Sequence, residues 1–185
     1  MRFPAGLSTL ALEPTAVVMY PSDMAQTGIA VEHQQQDKWC WAAVASSVGN
    51  FYARQIIWTQ PKVASAVLKQ SCVAAPSACN QDAELDGALA AVQQFVPPVI
   101  ANWLSPSQLF AAMQARHPVC IRIKWTYGNS GAHFAVIGGS TNGADIQTTR
   151  LRLCDPYYGD SCIAASEMNG RYQQGGVWTD TYMTA

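Results

Sequence analysis

Histidine and charge are both scarce in this chain. Charged residues make up 12% of its 185 positions and the formal net charge is −1. No basic stripe is available to neutralise a phosphate backbone, which argues against a nucleic-acid partner. Long apolar runs are missing too. None approaches the roughly 18 residues that cross a bilayer, so no membrane partner is expected. Met1 to Tyr20 has one early Arg and an apolar middle, but Pro4, Glu13 and Pro14 interrupt it. It is not read as a cleavable signal peptide, which leaves export by another route open. No CxxC pair or closely spaced Cys/His set occurs, so a zinc centre is not expected. With only His33, His117 and His133 present, any imidazole chemistry has three candidates.

What is plentiful is apolar content, at 49%, ample for one core in a chain of this length. Residues 1–30 carry Pro4, Gly6, Pro14, Pro21 and Gly28 without sustained periodicity and read as an extended arm with one strand at most. Residues 31–185 read as a single domain. Helical spacing of Trp41, Val44, Ala45, Val48, Phe51 and Tyr52 predicts a helix from Cys40 to about Arg54. A second helix is expected from Thr59 and Pro61 to Leu68, and a third over 81–94, stopped by Pro97-Pro98. The fourth has the clearest start: Ser105, Pro106 and Gln108 supply an N-cap, a first-turn proline and a capping box. From Pro118 the period becomes extended, with strands expected over 119–125, 133–138, 149–154 and 176–183, and a connection from Tyr157 to Gln174. Helices followed by strands argue for an α+β fold with an antiparallel sheet.

Six cysteines occur, at positions 40, 72, 79, 120, 154 and 162. Cys72 with Cys79 and Cys154 with Cys162 each bracket a turn-rich stretch that a disulfide would close. Two such bridges fit an oxidising compartment, and six reduced thiols fit a cytosol; both readings stand.

The stretch Gln34 to Ala43 carries the chemistry. Cys40 opens an apolar helix, where free N–H groups and the positive end of the helix dipole favour an anion such as a thiolate. A thiolate attacking a carbonyl creates an oxyanion, which needs donors already in place. The Cys40 backbone N–H can serve as one and the Gln34 carboxamide as the other. Here the sequence resembles the papain-like cysteine peptidases, which place Gln six residues before the nucleophile at the head of a central helix. Trp39-Cys40-Trp41-Ala42-Ala43 is most similar to the small bacterial branches, the staphopain-like enzymes and the effector peptidases of plant pathogens.

A base is then expected. His133 follows the loop Gly128 to Gly131 and opens a strand, whereas His33 lies on the Gln34 segment as a cleft residue and His117 reads as a helix C-terminal partner. An orienter must fix the imidazole tautomer, and Asp155, ending an apolar strand before Pro156, fits that role. Papain itself has Asn there, so Asp155 departs from that member and agrees with the bacteriocin-processing and several effector branches. The resemblance runs from about Val31 to the C-terminus and includes Gly176 to Thr179 as a closing strand.

It implies a helical half bearing Cys40, a sheet half bearing His133 and Asp155, and a protein or peptide substrate between them. No metal or organic cofactor is expected. The resemblance further implies a bacterial toxin or virulence effector, secreted or delivered into a target cell, with an inhibitor or immunity protein in its producer. The rival readings are another Cys-His-Asp acyl-transfer enzyme (a peptidoglycan amidase, deamidase or transacylase) or an inactive binding module of the same fold. Trp103, Trp125 and Tyr127 are candidate cleft-wall aromatics.

Overall fold

The computed structural model describes residues 18–126 and 131–185. Tyr127, the loop residues 128–130, and the first seventeen residues, on which most of the signal-peptide reading fell, lie outside them. Helices α1 (Cys40–Ala53), α2 (Gln60–Leu68) and α3 (Leu85–Ala91) come first, and α4 (Pro106–Gln114) follows strand β2 (Phe95–Ala101). The remaining strands are β1 (Ala25–Gln26), β3 (Val119–Trp125), β4 (His133–Ser140), β5 (Arg150–Asp155), β6 (Gly159–Ala164), β7 (Asn169–Tyr172) and β8 (Gly176–Thr184). They form one antiparallel sheet in the order β2-β8-β3-β4-β5-β6, with β1 added to β4 and β7 to β8.

This is the α+β architecture expected, with one addition: the sheet is covered on both faces. Phe134 and Val136 of β4 point into a core shared with α1, α2 and α3, together with Trp39, Trp41, Cys120 and Tyr182. Ala135 and Ile137, one residue out of phase, join Leu109 and Met113 of α4 and Ile121, Leu153 and Trp178 in a second core. Period-two alternation with both sets apolar is what a doubly covered strand requires. The central helix comes close to its surroundings at Gly49, where an added Cβ would sit 2.6 Å from the Trp58 ring, so that indole fills the place of a side chain.

Local signals explain several boundaries. Ser105 accepts from the Gln108 N–H while the Gln108 side chain accepts from the Ser105 N–H, so the capping box is complete. The Thr59 side chain caps α2. Helix α3 is shorter at both ends than the expected 81–94: residues 81–84 precede it outside the helix and 92–93 form a turn after it. Pro97-Pro98 does more than end a helix: it sits within β2, where prolines lack the N–H a ladder needs and the register with β8 shifts between Val96 and Ile100. The segment 157–174 is likewise no plain connection, since it holds β6 and β7.

The described part of the arm is fastened to the sheet. Ile29 is buried, the Thr27 N–H donates to the Gly138 carbonyl at 2.9 Å, and the Arg116 guanidinium donates to the Thr27 carbonyl. Cys72 and Cys79 form a disulfide, whereas Cys154 and Cys162 do not. In the β5–β6 hairpin Cys154 faces Asp160 and Cys162 faces Arg152, so the two are diagonal, at a separation of about 7–8 Å that is too wide for a bridge. No helix among the described residues is long and apolar enough to cross a membrane.

Candidate active site

Antiparallel pairing brings two of the expected residues together. β4 and β5 are neighbours running in opposite directions, so His133, first in β4, lies beside Asp155, last in β5. The His133 Nε2 is 2.9 Å from Asp155 Oδ1. Cys40, the first residue of α1, lies close enough to the ring for its side chain to contribute to raising the His133 pKa. With Nε2 turned to Asp155, Nδ1 is the ring nitrogen left free of that carboxylate.

The Asp155 side chain is fully buried, at 0% exposure, and is satisfied on every side. Its Oδ1 also accepts the backbone N–H groups of Tyr157 at 2.8 Å and Tyr158 at 2.9 Å, and its Oδ2 accepts the Tyr172 hydroxyl at 2.8 Å. Burial opposes the carboxylate charge, but the His133 hydrogen bond and charge and the two backbone donors outweigh it and hold the pKa below the ordinary value. Burial likewise pulls the His133 pKa down. The hydrogen bonds and charges of Asp155 and Cys40 outweigh that effect and raise it from 6.5 to about 9. Tyr172 is pushed well above the usual phenol range, first by burial and then by the neighbouring charge of Asp155, so it remains a proton donor.

The ring of His133 is enclosed by aromatics. Trp125 lies 5.8 Å away on one side, and Tyr158 meets the ring edge to face at 6.3 Å. Tyr157 and Tyr158 are about half exposed and line a cleft of about 500 Å³ with Gln34, Trp125 and His133. A second cleft of about 370 Å³ adjoins it, walled by Cys40, Trp41, Glu84, Arg122 and Phe134. Trp125 is therefore a cleft aromatic, while Trp103 stacks on Trp178 at 6.1 Å in the second core.

Gln34 is the buried member of its glutamine run, at 7% exposure, while Gln35 is exposed and Gln36 half-buried. Its Nε2 donates to the Gln36 carbonyl at 3.0 Å and the Asp37 carbonyl at 2.7 Å, and its Oε1 is buried with no partner among the described residues. The backbone around it is clamped by Gln60 of α2. The Gln60 Oε1 accepts the Gln35 N–H and its Nε2 donates to the His33 carbonyl, both at 2.8 Å. The Gln34 N–H donates to the Pro156 carbonyl, also at 2.8 Å.

The other candidates are engaged elsewhere. His33 is exposed, 6.2 Å from Tyr157, and His117 is 6.4 Å from Tyr52 beyond the end of α4. Asp145 caps its own turn through Gln147 and Thr148, and Asp160 pairs with Arg152 at 2.6 Å. Burial pushes the Cys154 thiol up to about 12 and moves Cys120 the same way, so neither is disposed to ionise. Sequence reasoning missed Tyr172 and Gln60, which carry no local signature. The pair Tyr157-Tyr158 directly after Asp155-Pro156 was a signal that could have been read as a shield over the imidazole.

The family model described as "Papain-like cysteine protease AvrRpt2" matches residues 23–169. Comparison with curated proteins finds no match. Among solved structures, the chain is similar to a double glycine motif protease from an AMS/PCAT transporter in complex with the leader peptide. That likeness has 16% identity and a TM-score of 0.49, covering 86% of this chain and 94% of that one. It is also similar to digestive procathepsin L2 proteinase from Tenebrio molitor larval midgut, at 13% identity and a TM-score of 0.47, covering 92% and 70% of the two chains.

Proposed function

The chain belongs to the papain-like cysteine protease AvrRpt2 family, and from that membership we propose that it cleaves peptide bonds with Cys40 as nucleophile, His133 as acid and base, and Asp155 as orienter. The observation that carries the assignment is one imidazole hydrogen-bonded to a buried carboxylate and near enough to the Cys40 side chain to have its pKa raised by it. His133 holds the proton of Cys40, leaving a thiolate paired with an imidazolium. The sulfur attacks the scissile carbonyl carbon, and the carbonyl π pair moves to oxygen. The Cys40 backbone N–H and the Gln34 carboxamide stabilise that oxyanion. In the resting protein the Gln34 N–H groups are directed at the neutral carbonyls of Gln36 and Asp37. A charged oxyanion is the stronger acceptor and draws one of them away. As the C–N bond breaks, His133 protonates the leaving amine. The neutral ring then takes a proton from water, whose oxygen attacks the acyl-enzyme, and the carboxylic acid leaves as the thiolate–imidazolium pair is restored.

The substrate is a protein or peptide laid across the two adjoining clefts, and the same surface is the one an inhibitor or immunity protein would cover. The Cys72–Cys79 disulfide supports maturation in an oxidising compartment, in keeping with an effector or toxin that is secreted or delivered into a target cell. The test combines iodoacetamide labelling at neutral pH, with peptide mapping, and digestion of unfolded casein. Cys40 should take the label first, and Cys40→Ser should abolish digestion. Equal labelling of Cys40 and Cys120, or digestion by Cys40→Ser, would overturn the assignment.

A further inference from the structure

The residues flanking Cys40 are tied to a loop that is covalently closed. Between α2 and α3 the chain makes a short 3-10 turn, Pro76–Cys79, and the disulfide joins its last residue to Cys72 with the Cα atoms 5.7 Å apart. Three consecutive residues, beginning with the closing Cys79 itself, contact the nucleophile segment. The Cys79 carbonyl accepts the Trp39 indole N–H at 2.8 Å. The Asn80 side-chain oxygen accepts the Lys38 backbone N–H at 3.0 Å, and the Gln81 carbonyl accepts the Trp41 indole N–H at 3.1 Å. Positions 38, 39 and 41, on both sides of Cys40, are thus tied to residues 79–81. Trp39 is also the N-cap residue of α1, yet its side chain makes no capping bond to the helix. The first turn of α1 takes its external anchor from the loop.

The contact is buried as well as bonded. Trp39, Trp41, Cys72 and Cys79 all lie in the same apolar cluster as Cys40. Directly after the tether, Asp82, Ala83 and Glu84 form a wall of the cleft beside Cys40. A loop composed of Ala, Pro, Ser and Asn, with a single 3-10 turn, has little regular structure of its own to keep it still. The cross-link removes the loop conformations in which the three acceptors would be misplaced.

We propose that the disulfide-closed loop 72–81 is a positioning element for the nucleophile, setting the placement of Cys40 against His133 through Trp39, Trp41 and Lys38. The proposal rests on the reading of Cys40 as nucleophile. It differs from a general stabilising role in what it moves: turnover and the pH dependence of Cys40 reactivity, in protein that is still folded.

The test uses the full chain with Cys72 and Cys79 both replaced by Ala, assayed well below its melting temperature. A displacement near 1 Å at a reacting atom lowers rates by up to about 100-fold. The expected result is therefore a kcat lower by roughly 10- to 100-fold. The pH profile of Cys40 alkylation by iodoacetamide should also differ from that of the wild-type protein, because the sulfur is displaced from His133. A finer cut is Asn80→Ala, which removes only the acceptor for the Lys38 N–H and should shift both readouts the same way. Asn80→Asp keeps the acceptor and should restore them. Wild-type kcat and an unchanged alkylation profile in a folded double variant, whatever its melting temperature, would overturn the proposal. If the double variant does not fold, an Asn80→Ala protein indistinguishable from wild type overturns it instead. Cys40→Ser in the intact loop separates the two readings. If that variant still cleaves, the nucleophile assignment fails; if it is inactive while the loop variants match wild type, the positioning role alone fails.

Discussion

The charge of Asp155 should be visible in the alkaline limb of the pH–rate profile. His133 has its pKa raised from 6.5 to about 9, against the downward pull of burial, by Asp155 and Cys40. At pH 8 the wild-type ring is then about nine-tenths protonated. Asp155→Asn keeps an acceptor for Nε2–H and for the Tyr157 and Tyr158 N–H groups, and the Tyr172 hydroxyl can turn from donor to acceptor toward the new amide. Geometry is retained and charge is lost. If the carboxylate supplies most of the rise, the ring in the variant titrates near its ordinary value of 6.5 and is only about 3% protonated at pH 8. The expected outcome is an alkaline limb of kcat/KM near pH 9 in wild type, moved down by about 2.5 pH units in Asp155→Asn, with roughly 25-fold lower kcat/KM at pH 8 than at pH 6. Asp155→Ala should be worse, because the buried donors around the site lose their acceptor, at about 3–5 kcal/mol of stability. The assay is kcat/KM from pH 5 to 10 on one peptide, with circular dichroism confirming equal folding. An Asp155→Asn limb still near pH 9 would refute the reasoning. Folding stability carries the same signature. A folded-state His pKa above its unfolded value adds stability that is complete below about pH 6.5 and is lost as pH rises through about 9.

Two further outcomes follow from the site. Gln34→Ala should slow amide hydrolysis by roughly 10- to 1000-fold while leaving alkylation of Cys40 at its wild-type rate. If Gln35→Ala or Gln36→Ala shows that split instead, the donor has been misassigned. Tyr172→Phe removes the one hydroxyl on Asp155 Oδ2, a hydrogen bond to a charged group worth about 1.5–3 kcal/mol. It should lower the melting temperature by about 3–12 °C for a domain of this size, and an unchanged melting curve would mean that Oδ2 is satisfied without it.

Much of this was legible because it is local. The capping box at Ser105 and Gln108, the helix starting at Cys40, and the change of period after Pro118 are decided within a few residues, and each was found where expected. What escaped was decided elsewhere in the chain. β6 runs through Gly159, Asp160 and Ser161, residues with little strand preference, and exists because β5 offers it an unbroken ladder from Arg150 to Asp155. β2 tolerates two prolines because it is an edge strand, where a missing N–H costs little. The Cys154–Cys162 bridge failed for a geometric reason that spacing cannot reveal: the hairpin places the two cysteines out of register. Tyr172 and Gln60 were invisible because each is defined by its partner, 17 residues from Asp155 in one case and 25 from Gln35 in the other.

That long-range support also explains how two halves built on different elements present one site. Asp155 to Tyr158 form a turn that serves both. Its carboxylate holds His133 on the sheet side, and its own Tyr157 and Tyr158 N–H groups close back on that carboxylate. Between them, the Pro156 carbonyl accepts the Gln34 N–H, fixing the segment that leads to Cys40 on the helical side. Proline at this position removes its own N–H and restricts its φ, so the residue contributes only the carbonyl that Gln34 uses. Gln60 grips the same segment from the opposite direction, leaving the Gln34 backbone held between α2 and the β5–β6 turn. The His133 imidazole and the Gln34 segment are therefore referenced to one short turn, and a displacement of that turn would move the proposed acid–base and oxyanion groups together. In a reaction that needs both groups closely placed at the same carbonyl, a common support is how the sequence would hold the proposed Gln, Cys, His and Asp, spread over more than a hundred residues, in one geometry.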